Sequence, residues 1–226
     1  MRMRIIFPQF ALFAGLLVLI HCNSYGLQDR LESPGSDSTQ KSGSGTTGAT
    51  AIYMFKTAST YNGNLATAGG AAGNGRQGAD NLCTSVRPGF VFPDNSCASI
   101  RAFISISSAD SIANMPANYG ISSAKPIKGP TDIMIDNDWP SLMSQPIVAA
   151  SLFAGGVLPA SVNWWSFSAN TANGLFDGTA NCAGGTDGVT VTPGGAQGNS
   201  GVANTAWLNN GNASCATALH VLCLCY

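Results

Sequence analysis

Ala216-Thr217-Ala218-Leu219-His220-Val221-Leu222-Cys223-Leu224-Cys225-Tyr226 is the run on which the reading of this chain turns. From Leu219 onward it is apolar, partly β-branched and free of Gly and Pro, the signature of a buried strand. Side chains alternate across a strand, so Leu219, Val221, Cys223 and Cys225 fall on one face. His220, Leu222, Leu224 and Tyr226 fall on the other. A strand of this kind, carrying two cysteines, is expected to close the fold and to hold upstream cysteines against it.

The chain has 226 residues, enough for one domain and additional segments. Its net charge of −1 gives no footing for nucleic acid. Only 9% of residues are charged and 27 are Gly, which suits a loop-rich extracellular β or α+β domain better than a helical bundle. The cations are unevenly placed. Every Lys and Arg beyond residue 50 lies between Lys56 and Lys128, and the stretch from Gly129 to Tyr226 has none against five Asp.

Arg2 and Arg4 precede the mostly apolar Ile5–Ile20, so residues 1–21 read as a secretory signal. Cys22 directly follows, with Leu19 three residues before it, in the manner of a bacterial lipoprotein signal. The expectation is cleavage before Cys22 and acylation of that residue, giving a membrane anchor. Plain secretion, with Cys22 an ordinary thiol, is the alternative. Residues 22–50 are rich in Ser, Gly and Thr and read as a flexible tether.

Residues 51–226 form the globular domain. Ala51–Lys56 reads as a first strand and is followed by a long loop through Gly75. Gln77–Val86 reads as a short helix, with Ala79, Leu82, Cys83 and Val86 on one face and Asp80 in its first turn. Ile100–Ile106 alternates as a strand. Ser108 is read as the cap of a helix that runs to Met115 and stops at Pro116. Asp138–Met143 reads as a short helix with Pro140 in its first turn. Asn163–Ser168 and Thr205–Leu208 read as strands. The Gly-rich Asn170–Asn204 between them reads as long surface loops.

Six cysteines remain beyond Cys22: Cys83, Cys97, Cys182, Cys215, Cys223 and Cys225. In an exported domain they point to three disulfides, and six cysteines allow about 15 pairings. Cys223-Leu224-Cys225 lacks the two-residue gap of a zinc knuckle, so structural bridges are read here and no metal or cofactor is expected.

Several of these pieces resemble one known family. Arg76-Gln77-Gly78-Ala79-Asp80-Asn81-Leu82-Cys83 is similar to the Arg-x-Gly-Ala-Asp-x-x-Cys helix of endostatin, and Arg101-Ala102-Phe103-Ile104-Ser105 to its Arg-Ala-Phe-Leu-Ser strand. Asp138-Trp139-Pro140-Ser141-Leu142 resembles its Pro-Ser-Trp segment. Ser214-Cys215 with Leu219–Cys223 resembles its closing cysteine pair. Together with the export signal, the domain looks like the leptospiral endostatin-like outer-membrane lipoproteins. The resemblance implies an α+β, C-type-lectin-like fold of mostly antiparallel strands, two or three short helices and long Gly-rich loops. It implies the bridges Cys83–Cys223 and Cys182–Cys215. Cys97 and Cys225 have no endostatin counterpart and are left as the third pair.

The resemblance also implies a function: a non-enzymatic adhesin, facing the cell exterior, for extracellular matrix proteins such as laminin or fibronectin, complement factor H, or plasminogen. A lysine-directed plasminogen contact would fall to Lys56, Lys125 or Lys128. Trp164 and Trp165 are candidate binding anchors, one of them exposed, since they point to opposite faces of a strand. Other family properties do not carry over. His220 is the single His after the signal, so endostatin's zinc site is unsupported, and scattered cations disfavour heparin. The calcium-loop tripeptides of sugar-binding lectins are absent beyond residue 50, where there is no Glu. Gly198-Asn199-Ser200-Gly201 has the look of a nucleophile turn, but a nucleophilic Ser needs a base beside it, and no enzyme is read. Asp132, Asp136 and Asp138 are read as a solvated acidic loop in preference to a cation site. A calcium-independent glycan-binding module and a structural envelope lipoprotein are the alternative functions.

Overall fold

The computed structural model describes residues 49–89, 91–93, 97–144, 149–171 and 173–226. The segment read as a signal peptide (residues 1–21), Cys22 and the segment read as a tether, up to residue 48, lie outside them. The strands are β1 (Ile52–Lys56), β2 (Ile100–Ala102), β3 (Ile127–Lys128), β4 (Met134–Asp136), β5 (Asn163–Trp165), β6 (Gly195–Asn199), β7 (Asn212–Ala213) and β8 (His220–Cys225). Short helices accompany them, among them α1 (Leu65–Ala68), α2 (Gly75–Val86), α3 (Met115–Tyr119) and α4 (Trp139–Ser144). The fold is α+β, with a core built mostly on the sheet. No helix among the described residues is long and apolar enough to cross a membrane.

The sheet runs β4-β3-β1-β8-β5-β6-β7, with β2 also on β8. The closing strand is therefore central. It pairs antiparallel with β1 (Tyr53 opposite Cys225) and with β2 (Ile100 opposite Cys225), and parallel with β5 (Trp165 beside Val221). Because β5 meets the start of β8 and β2 meets its end, the two share one edge. The β1–β3 pair is also parallel, and the remaining ladders are antiparallel.

The alternation along β8 sorts the core into two clusters. Leu222 and Leu224 join Ile52, Met54, Phe103, Trp139, Trp164 and Trp207 on one face. Val221, Cys223 and Cys225 join Tyr53, Phe55, Ile104, Trp165 and Phe167 on the other. Burial on both faces explains why the strand is a near-continuous apolar run rather than an apolar and polar alternation.

Helix α2 starts earlier than its periodicity suggests, because the Asn74 side chain accepts the Gln77 N–H at 3.0 Å and caps it. Asp80 is consequently in mid-helix, not in the first turn, and it is buried. The helix ends at Val86. A glycine sets its distance from α1. A Cβ on Gly78 would run into the Leu65 carbonyl and come within 2.6 Å of Ala66 Cα. Gly78→Ala is therefore expected to force the two helices apart and cost about 1–3 kcal/mol. A denaturant midpoint equal to that of the unaltered chain would refute this.

Four local readings are corrected. The Ile100–Ile106 strand pairs regularly only through Ala102, although its side chains go on alternating, with Phe103 on one face and Ile104 on the other. Ser108 caps nothing. Ser107 Oγ accepts the Asp110 N–H, and Pro116 stands in the first turn of α3, where its missing N–H costs nothing, while Gly120 in the left-handed region ends that helix. Thr205–Trp207 is a single 3₁₀ turn, set by Asn204, whose side chain accepts the Ala206 N–H. The Gly-rich Asn170–Asn204 stretch contains β6, an interior strand between β5 and β7.

Candidate functional site

Six cysteines form three bridges, Cys83–Cys223, Cys97–Cys225 and Cys182–Cys215. These are the pairs that the family resemblance implies and that it leaves over. Two of them clamp β8, one to α2 and one to the segment before β2. The third ties the turn after Asn181 to the segment leading into β8.

The two motif segments meet in one polar cluster. Arg76 donates from Nε and Nη2 to the Asp110 carboxylate at 2.7 and 2.9 Å. It also donates to the carbonyls of Ala102 at 2.7 Å and Ile104 at 2.6 Å. Asp80 accepts from the Ala102 N–H at 2.8 Å and from Arg101 at 2.7 Å. The Arg101 guanidinium lies 4.7 Å over the Tyr119 ring, whose hydroxyl donates to Asp110 at 2.9 Å. Arg76 thus satisfies the carbonyls freed where the β2 ladder stops. The motif is a clip between helix and strand, and its charged groups are consumed internally.

Trp164 and Trp165 are both fully buried, one in each core cluster, so neither is the exposed anchor expected of one of them. The reason is that β5 lies inside the sheet and is covered on both faces. Trp165 donates its indole N–H to the Tyr61 carbonyl at 2.8 Å. Apolar side chains that do face solvent include Val91, Phe153, Val189 and Val191. Of these, Val189 and Val191 were legible as an uncharged Val-Thr-Val-Thr run inside a Gly-rich stretch.

Lys56, Lys125 and Lys128 are each partly exposed. Tyr53 of β1 lies beside Lys128 of β3, with Lys56 three residues further on and Lys125 three residues back. At the rise of a strand this spreads the three over about 20 Å. Lys128 is paired with Asp132 at 2.9 Å, and Lys125 has no ion pair among the described residues. They form three separate cations and not one basic patch.

The other candidates have structural partners. Ser200 is buried, donates to the Pro159 carbonyl at 2.6 Å and accepts the Val162 N–H at 3.0 Å. Asp132 binds Lys128, the buried Asp136 accepts the Asn137 N–H, and Asp138 accepts the Ser141 N–H as the cap of α4. No group of three or more His, Cys, Asp or Glu side chains among the described residues is placed to hold a metal ion.

Titration of groups shifted by their surroundings bounds the stable range. Burial, then the charge of Lys56, pushes the His220 imidazole below its ordinary 6.5, against the pull of the Thr57 and Ser59 carbonyls. The unfolded chain takes that proton more readily, so His220 lends stability above pH 6.5 that is lost as pH falls through the folded value. Hydrogen bonds to Asp138 and Asp187 hold their carboxyls below the ordinary 3.8, which adds a second loss in stronger acid. At the other end, burial pushes Tyr119 up to about 12 despite Arg76, so stability falls between its ordinary 10.0 and that value. Unfolding free energy measured against pH should show a plateau between these limits. His220→Gln should abolish the loss that begins near neutrality.

A search of protein-family models finds no match to the chain, and a search of curated proteins finds none either.

Proposed function

We propose that the chain is a bacterial surface lipoprotein whose endostatin-like, C-type-lectin-like domain binds host proteins without catalysing a reaction. The observation that carries this is the combination of a lipoprotein-type signal ending at Cys22, a Ser/Gly-rich tether, and a domain stapled by three disulfides. Such bridging belongs to an oxidising compartment. Resemblance supplies the partner class: laminin, fibronectin, complement factor H or plasminogen, met at the outer face of the outer membrane. The internal use of Arg76, Asp80, Asp110 and Ser200 supports a role in binding over one in chemistry.

The test is binding of the oxidised protein to a panel of these host proteins, with a reduced sample alongside. Saturable binding that reduction destroys supports the reading, and no binding to any of them refutes it. Replacing Lys56, Lys125 and Lys128 by Ala should abolish plasminogen binding if lysine recognition is the route. Labelled fatty acid should appear on the wild-type chain and not on Cys22→Ala. One observation favours a glycan-binding alternative. Asn163 Oδ1 accepts from Asn199 at 3.0 Å and from Asn210 at 3.5 Å, which sets neutral amides together on the surface. A glycan array without calcium separates the two.

A further inference from the structure

Four Asn–Gly pairs occur in the chain: Asn62-Gly63, Asn74-Gly75, Asn173-Gly174 and Asn210-Gly211. An Asn–Gly pair is chemically labile because the glycine nitrogen, unshielded by a side chain, can reach the amide carbon of the asparagine. That approach needs the intervening peptide to rotate. A tightly packed glycine cannot follow it.

Three of the pairs are pinned. A Cβ on Gly63 would fall 2.5 Å from Cys182 Sγ, and the Gly63 N–H is bound to the Cys215 carbonyl at 2.7 Å. Gly75 is pressed against the Gly184 carbonyl. Gly174 lies against Met143 and Ile112, and its carbonyl accepts from Ala113 and Ser105. The asparagine oxygens of these pairs are also engaged, Asn62 by the Asn64 N–H, Asn74 by Gln77 and Asn173 by Leu175.

The fourth pair differs in the packing of its glycine and in the engagement of its asparagine oxygen. Asn210 and Gly211 are both exposed, and a Cβ on Gly211 would meet nothing within 4 Å. Gly211 has φ +101°, in the region that favours glycine. Among the described residues the Asn210 side chain makes only the 3.5 Å hydrogen bond to Asn163, donated from its nitrogen, which leaves its carbonyl carbon open. The backbone is held by three bonds: Asn210 N–H to the Gln197 carbonyl at 2.6 Å, Gln197 N–H to the Gly211 carbonyl at 3.0 Å, and Gly211 N–H to Asn209 Oδ1 at 3.0 Å. Only the last must open for the nitrogen to attack.

We infer that Asn210-Gly211 is a site of spontaneous deamidation in the folded protein. The Gly211 nitrogen bonds to Asn210 Cγ and gives up its proton, and the side-chain nitrogen leaves as ammonia. The resulting five-membered imide takes up one water at either carbonyl and opens to aspartate or isoaspartate. No oxidant or reductant is involved. The product sets a new carboxylate beside Asn163, in the stretch from Gly129 to Tyr226 that already has five Asp and no Lys or Arg.

The experiment is incubation of the oxidised full-length chain at mildly alkaline pH, followed by peptide mapping by mass and enzymatic methylation of isoaspartate. The peptide containing Asn210 is expected to gain one mass unit, and to accept methyl groups, several-fold faster than those containing Asn62, Asn74 or Asn173. Asn210→Gln should remove the early product. In reduced, denatured chain the four rates should converge, since the sequence pair is the same in each. Conversion of another pair as fast in the folded chain, no conversion at Asn210, or the folded-state ranking persisting unchanged after denaturation would overturn the inference.

Discussion

In a background already lacking the Cys97–Cys225 bridge, replacing Cys83 and Cys223 together by Ala is expected to remove about 4–5 kcal/mol of stability, because the bridge then closes one of the longest loops in the chain. Its two ends are 140 residues apart, against 33 for Cys182–Cys215, and the entropy it takes from the unfolded chain grows with the logarithm of that span. The same argument gives about 1 kcal/mol less for the shorter bridge. A domain of this size has a net stability of about 5–15 kcal/mol, so the double variant should be partly unfolded at body temperature. Both sulfurs are buried where α2 crosses β8, in the apolar cluster that also holds Phe55 and Leu82. Denaturant titration of the double variant checks the value. A midpoint as high as that of the parent, or a larger loss from the Cys182 and Cys215 pair, would contradict the chain-entropy account.

Arg76→Ala is expected to cost about 3–5 kcal/mol, the range for stripping one partner from a buried charged pair. The side chain is 12% exposed and makes two bonds to Asp110 and two to backbone carbonyls. Its loss leaves the Ala102 and Ile104 carbonyls without this donor and strips two bonds from the Asp110 carboxylate, which keeps the Tyr119 hydroxyl. Arg76→Lys should cost nearly as much, because a single ammonium cannot span two carbonyls and a carboxylate as the planar fork does. Thermal unfolding of the two variants decides the matter. If Lys restores most of the stability, the site needs only a positive charge and the geometric reading is wrong.

The extent to which the sequence was readable depends on the range of the interaction involved. The face assignment on the closing strand is a property of backbone geometry, and Val221 and Leu222 indeed enter different clusters. The helix through Cys83 was legible from its spacing. Its start was not, because the cap comes from a side chain, Asn74, that sits among other loop asparagines. Strand β6 was hidden for a steric reason. Gly195 is pressed against Trp165, Phe167 and Cys182, and Gly198 against Trp164 and the Trp207 carbonyl, so neither position has room for the β-branched side chains that mark a strand.

The candidate site shows the same division. Arg76, Asp80 and Arg101 stood out as motif residues, and nothing in their spacing said that they would satisfy one another. Trp164 and Trp165 followed the rule of opposite faces, while the conclusion that one faces solvent assumed a sheet covered on a single side. What the sequence determined alone was local: strand alternation, helical period, an even set of cysteines beyond residue 50. The tertiary structure decided the rest, which strand lies inside, which charges cancel and which Asn–Gly pair stays open. Those outcomes depend on groups tens of residues to more than a hundred residues apart being brought into contact, and no neighbour in the chain records that.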